Sequence, residues 1–249
     1  MQNYRIALAG NPNTGKSTLF NTLTGLRQHT GNWTGKTVLK AEGEYDHNGK
    51  TYTVIDLPGT YSLYSNSADE EVARDYILFE KPDVTVVVID ATAMERNLNL
   101  ALQVLEMTSR VVVCVNLIDE AEKKGISINE KELSQKLGVP VIKISARNKV
   151  GIPELLNTIE QMAEGKIVTS PYQVKYTEDI EQMIKKLEPE IRVIFGDAYP
   201  ARWIALRILD GDKNFLETLQ KRYIEPIVKE DMEHGVTLSQ SAAASRSCH

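Results

Sequence analysis

The run "GNPNTGKST", residues 10 to 18, fits Gly-x-x-x-x-Gly-Lys-Ser, and it lies directly after a strand-like segment and opens a helical one. Each residue type in it has a task in holding a polyphosphate. Gly10 and Gly15 permit the tight turn, and the backbone N–H groups of Asn13, Thr14, Gly15, Lys16, Ser17 and Thr18 can encircle phosphate oxygens. The Lys16 ammonium can reach the β and γ oxygens, and Ser17 offers its hydroxyl to Mg²⁺. This spacing predicts a nucleoside triphosphate site.

Two further segments complete the phosphate chemistry. In "VIDLPGTYSL", residues 54 to 63, Asp56 ends the next strand as the acidic partner of the metal, and Gly59 can present its N–H to a γ-phosphate. Thr60 stands where many such enzymes carry the glutamine that orients the attacking water. Between the two phosphate motifs, "QHTGNWTGKTV", residues 28 to 38, reads as a polar loop with two glycines. A switch loop at that place must supply a hydroxyl to Mg²⁺ that leaves with the γ-phosphate; Thr30, Thr34 and Thr37 all compete, and spacing does not choose. Trp33 is open to two readings, a core anchor or an aromatic cover over the nucleotide.

"NLID", residues 116 to 119, closes an apolar strand. Asp119 can accept from the two nitrogens on the guanine edge, and Asn116 can tie its loop back to the phosphate loop. A site of buried polar partners rejects ligands that cannot satisfy them by roughly 10⁴ to 10⁵. The lysine usual between the two is Leu117 here. One strand later comes "ISAR", 144 to 147, where Ser145 adjoins the base and the backbone of Ala146 can touch guanine O6. GTP and GDP are therefore expected over adenine nucleotides.

These motifs must sit on a sheet. Strand-like runs at 4 to 10, 50 to 59, 83 to 90, 110 to 119 and 139 to 146 alternate with helical patterns at 15 to 25, 68 to 79, 97 to 107, 129 to 137 and 151 to 165. Near-continuous Val and Ile in the middle strands suits burial on both faces, which predicts an α/β fold with a mostly parallel sheet wound by helices. The acidic run "ADEE", 68 to 71, is a favourable first turn for its helix. Composition shifts near residue 166: a linker, "IVTSPYQVKY", leads to helical segments at 177 to 188, 200 to 211 and 213 to 235. The expected organisation is a GTP-binding G domain over 1–166, a small all-helical domain over 167–236, and a disordered tail or cloning remnant over 237–249.

Composition narrows the partners. A net charge of −5 disfavours a nucleic-acid-coating surface, since phosphate contacts need clustered Lys and Arg. Two cysteines, Cys114 and Cys248, make no disulfide framework and predict a reducing compartment, with Cys114 an inert buried thiol. There is no charged-then-apolar leader and no apolar stretch near the ~18 residues of a membrane span, so a soluble cytosolic chain is expected. The four histidines are scattered, which gives no support for an iron site.

The combination "GNPNTGKSTLFN", "GNWTGKTV", "DLPGTYSL", "EEVARDYI", "VIDATAMERNLNLALQVLE" and "ISAR" resembles the cytosolic amino-terminal region of FeoB, the bacterial ferrous iron transport protein. Its motifs cover roughly residues 4 to 165, and "YPARWIALRILDGD" resembles the helical domain that follows in that family. The resemblance implies a Ras-like P-loop G domain tethered to a helical domain that inhibits nucleotide dissociation. It also implies a membrane permease domain of the same full-length protein as partner, with small accessory Feo proteins and homo-oligomers as further partners, at the cytoplasmic face of the bacterial inner membrane. By the same resemblance Thr37 is the switch threonine, and Asn13 helps hold a K⁺ beside the phosphates. The loop departs from the commoner "GNWPGVTV" at Thr34 and Lys36.

The resemblance implies slow GTP hydrolysis with Lys16, Thr37, Gly59 and Asn13 in catalytic roles. A K⁺ at Asn13 would put a positive charge where an arginine finger otherwise sits, worth as much as ~10³ to 10⁵ in rate. Backbone groups would then orient the water that Thr60 cannot. The rival reading is a ribosome-assembly or tRNA-modifying GTPase, which shares the phosphate motifs but usually adds an RNA-binding module or a basic surface. A second rival is a GTP-dependent docking module without useful hydrolysis.

Overall fold

The computed structural model describes residues 3–25, 27–64 and 67–224. Its strands are β1 (Asn3–Gly10), β2 (Gln28–Asn32), β3 (Leu39–His47), β4 (Lys50–Asp56), β5 (Val84–Asp90), β6 (Val111–Asn116) and β7 (Val141–Lys143). They form one sheet in the order β2-β3-β4-β1-β5-β6-β7. The pairs β4–β1, β1–β5, β5–β6 and β6–β7 are parallel, while β3 runs antiparallel to both β2 and β4.

The central strands follow from their composition. In β5 the residues Val84 to Ile89 are all buried, and in β6 every residue is. Burying each Val contributes roughly 1.5–3 kcal/mol, a gain available only with helices on both faces. Those helices are α1 (Lys16–Thr24), α2 (Ala68–Asp75), α3 (Met94–Met107), α4 (Ile118–Lys123), α5 (Glu130–Leu137) and α6 (Ile152–Ala163). In α6, proline stands in the first turn and Gly151 before it has φ 73°, where an added Cβ would stand 2.2 Å from the Lys143 carbonyl oxygen. Ser67 caps α2 by accepting from the Glu70 N–H, and Asp69, Glu70 and Glu71 fill its first turn as the acidic run predicts. A π-type turn, Tyr76–Glu80, continues α2.

Two differences from the sequence reading bear on the site. The segment read as a polar loop begins as strand β2, its Thr30 opposite Ala41 and its Asn32 opposite Leu39. The β3 partner, "LKAEGEYDH", escapes a hydrophobicity pattern because this side of the sheet is half exposed and carries charged residues. Strand pairing, rather than apolar periodicity, holds it.

Beyond α6 come α7 (Glu178–Phe195), a 3-10 turn (Gly196–Ala198), α8 (Ala201–Asp210), α9 (Lys213–Leu219) and a π-type turn (Gln220–Ile224). Helix α7 runs past the expected end at 188 and carries Pro189 inside it. By contact the chain divides within α8, into units Met1–Trp203 and Ile204–His249. The first unit extends past residue 166 because the linker is bonded to the sheet domain. The Thr169 hydroxyl donates to Ser109 O (2.7 Å), and Val174 N donates to the Glu106 carboxylate (2.9 Å). Arg202 then joins Val174 O, Glu181 and Glu106. In the second unit Asp212 caps α9 through the Phe215 N–H, and Phe215 and Leu219 are buried. The rest of the helical segment expected to 235, and the tail, lie outside the described residues.

Candidate nucleotide site

The phosphate loop is shaped by two left-handed residues, Asn13 (φ 67°) and Gly15 (φ 78°), between the end of β1 and the start of α1. Successive N–H groups in such a turn converge into an anion-binding concavity. At Gly10 an added Cβ would stand 2.6 Å from Val88 O on the neighbouring strand, so β1 can approach β5 only with glycine there. The Thr14 hydroxyl braces the turn by donating to Asn11 O (3.0 Å). The loop encloses a cavity of 430 Å³ lined by Asn13, Gly15, Lys16, Ser17, Thr18 and Gly59, with Asn11 and Pro12. Lys16 is buried and its ammonium donates to the Asp56 carboxylate and to Leu57 O (2.5 Å). Lys16 and Ser17 line this cavity, and Asp56, at the end of β4, meets it through the Lys16 ammonium.

The guanine end is fastened to the same loop by one side chain. Asn116 is fully buried, donates through Nδ2 to Thr14 O (2.9 Å) and accepts through Oδ1 from Ala146 N (3.0 Å). The anticipated tie to the phosphate loop is therefore present. The Ala146 N–H is engaged by Asn116, so a bond from it to guanine O6 has to be shared. An added Cβ at Gly15 would lie 2.3 Å from Asn116 Nδ2, which makes that glycine a requirement of this contact.

Leu117 opens α4 in the left-handed region, φ 64°, strained for a branched side chain. Asp119 accepts at Oδ2 from Asn148 Nδ2 (3.1 Å), while its Oδ1 is buried with no hydrogen-bond partner in the described residues. The Ser145 hydroxyl beside it, against the cost of burial, holds its carboxyl below the usual carboxylate range, with Lys123 and Asn148 adding to the effect. Paired backbone bonds between Ser145 and Val150 (both 3.1 Å) close the loop that presents Ser145 and Ala146. Asn148 was not singled out from the sequence, for no spacing pattern marks it.

The segments that carry Thr37 and Thr60 meet at Gly59. Thr60 N donates to Gly10 O (3.3 Å), and an added Cβ at Gly59 would lie 3.4 Å from Pro12 N and Cα. Thr37 is exposed and lines a neighbouring 500 Å³ cleft with Pro58, Gly59 and Asp69. Gly59 alone is shared by the cleft and the phosphate cavity. Thr30 lies in β2 and Thr34 in the exposed turn after it, and neither lines the cavity or the cleft. Trp33 stacks edge-on against Tyr76, centroids 5.4 Å apart, with Lys40 Nζ 5.5 Å from its ring. This contact ties residue 33 to the turn after α2. Lys36 pairs with Glu71 of α2.

The oxygen set of Ser17, Asp56 and Thr37 is of the hard type that Mg²⁺ takes. Among the described residues no group of three or more His, Cys, Asp and Glu is arranged to hold a metal ion. Asn13, exposed at the cavity lip, offers a carboxamide oxygen of the kind K⁺ accepts. Among the described residues no helix is long and apolar enough to cross a membrane.

Comparison with known proteins matches residues 4–159 to the family model of ferrous iron transport protein B and residues 176–241 to that of the FeoB cytosolic helical domain. An Fe(2+) transport protein A/Fe(2+) transporter FeoB fusion protein of Porphyromonas gingivalis is 40% identical over 213 residues, 84% of this chain and 25% of that protein. The Fe(2+) transporter FeoB of Methanocaldococcus jannaschii is 61% identical over 107 residues, 43% of this chain and 16% of that protein. The chain therefore spans a minor part of these relatives. The crystal structure of the cytosolic domain of the T. maritima FeoB iron transporter in apo form superposes with a TM-score of 0.81 at 40% identity, covering 88% of this chain and 86% of that one. The same domain in GMPPNP form gives 0.79 at 39% identity, covering 88% and 85%. With the phosphate loop, the guanine loop and both switch segments inside the first match and the helical domain in the second, the chain belongs to the ferrous iron transport protein B family.

Proposed function

We propose that this chain is the GTP-binding and slowly GTP-hydrolysing switch of a membrane ferrous iron transporter, its G domain spanning 1–166 and its helical domain 167–236. The observation that carries the reading is the Asn116 bridge, which joins a phosphate cradle to a guanine-reading loop in one rigid unit. The GDP and GMPPNP forms of the T. maritima cytosolic domain support guanine nucleotides as its ligands.

Lys16 leaves Asp56 to meet the β and γ oxygens, and the N–H groups of residues 13–18 hold the remaining phosphate oxygens. Ser17, Asp56 and Thr37 would hold Mg²⁺, which supplies neutralisation of the charge that builds on the transferring phosphoryl group. Asn13 would hold K⁺ at the cavity lip. Gly59, wedged between cavity and cleft, passes the presence of the γ-phosphate to both switch segments. Asp119 selects guanine, with Ser145 and Ala146 closing the base side. Loss of the γ-phosphate frees Thr37 and Gly59 together, and the two segments carry that change to a permease domain of the full-length protein at the inner membrane. The P. gingivalis fusion supports a small accessory partner as well.

GTP turnover in Mg²⁺ with KCl, then NaCl at equal ionic strength, tests the reading. We expect slow turnover with a rise in K⁺ of at least about tenfold, lost in Asn13→Ala. Equal rates in both salts would remove the cation from the mechanism. Salt-dependent RNA affinity would favour a ribosome-assembly or tRNA-modifying GTPase instead.

A further inference from the structure

Asn11 is the second residue of the phosphate loop, and its side chain is 1% exposed. Neither its Nδ2 nor its Oδ1 has a hydrogen-bond partner among the described residues, although its own carbonyl is engaged by Thr14. A buried carboxamide left without partners costs on the order of 1–3 kcal/mol per polar atom, so such groups are retained where a partner arrives in the working state.

The surroundings indicate which partner. The residue before Asn11 accepts from Thr60 N, and the residue after it touches Gly59. The second switch thus crosses the phosphate loop at residues 10 to 12, with Asn11 at the crossing and in the wall of the phosphate cavity. Position 60 is threonine and its side chain is buried, so it presents no carboxamide to a water.

We propose that Asn11 is a positioning residue for the second switch. When a γ-phosphate occupies the cavity, the Asn11 carboxamide bonds the backbone of residues 59 to 61 and fixes their alignment. A carboxamide on the phosphate loop then holds in place the segment that elsewhere carries one of its own. This rests on the guanine-nucleotide reading above.

The test is titration of wild type and Asn11→Ala with fluorescent GDP and with the non-hydrolysable analogue GMPPNP, beside GTP turnover. The expected result is GDP affinity within about twofold of wild type, GMPPNP affinity lower by about tenfold, and turnover lower by about 10- to 100-fold. Equal loss for both nucleotides, or no change in either, would overturn the inference and leave the nucleotide reading standing. Wild-type chain that binds neither nucleotide would overturn both. Should alanine at this site prevent folding, Asn11→Ser keeps a small polar side chain, adds no charge beside the phosphates and removes the carboxamide. Selective loss of GMPPNP there supports the role, and unselective loss refutes it.

Discussion

Lys36, in the turn after β2, forms an ion pair with Glu71 in the first turn of α2, joining these two segments outside the phosphate cavity. Both side chains are partly exposed, so the pair contributes about 0.2–1 kcal/mol. Trp33 on Tyr76 adds a second contact between the same segments. A double-mutant cycle of Lys36→Ala and Glu71→Ala, read by denaturant unfolding, should return a coupling in that range that shrinks at high salt. A coupling of zero at low salt would show that Trp33 alone ties them.

Asn116→Ala should be far more damaging. It strands Thr14 O and Ala146 N in a buried setting, each at about 1–3 kcal/mol. Affinity for GDP should fall at least about 100-fold, as calorimetry would record. Gly15→Ala drives a methyl into the same amide and should match that loss.

Asp119→Ala tests the base end alone. Preference for GDP over ADP should fall by about 10² or more, while phosphate contacts and folding persist. An unchanged ratio would place base selection elsewhere, with the Ser145–Val150 loop as the remaining source.

Glu181 predicts the acid limb of stability. Its bidentate bond from Arg202, followed by the Tyr176 N–H, lowers its pKa to about 2 from 4.5. A depressed folded-state value stabilises at pH above 4.5, and that contribution drains away as pH falls from there towards 2. Melting temperatures of Glu181→Gln and wild type should therefore differ most near neutrality and converge as pH approaches 3, near the lower end of that window.

The phosphate and guanine motifs could be picked out because such chemistry demands fixed residue types at fixed spacing, and Asn116 makes the expected bond to the phosphate loop. The buried parallel strands were legible because β5 and β6 are almost wholly aliphatic. Strands β2 and β3 were not, for Thr30, Lys40 and Glu42 lie on a half-exposed edge that backbone pairing holds without an apolar signature. Trp33 had two readings because its partner Tyr76 is 43 residues away in sequence, a separation that no local pattern encodes. The first compact unit reaches Trp203 for a similar reason: Arg202 gathers Val174, Glu181 and Glu106 from three separate segments.

Because one amide side chain, Asn116, rivets the base loop to the phosphate loop, the two loops hold one another in place, which lowers the ordering entropy that binding costs. The same rigidity has a kinetic side. On the proposed function, cleavage would remove the terminal phosphate and its hold on the segments around Thr37 and Gly59, while the Asn116 bridge between the base loop and the phosphate loop would stay in place. The diphosphate's residence time would then be set by bonds that hydrolysis does not touch, so that the proposed off state would be timed by departure and the on state by chemistry.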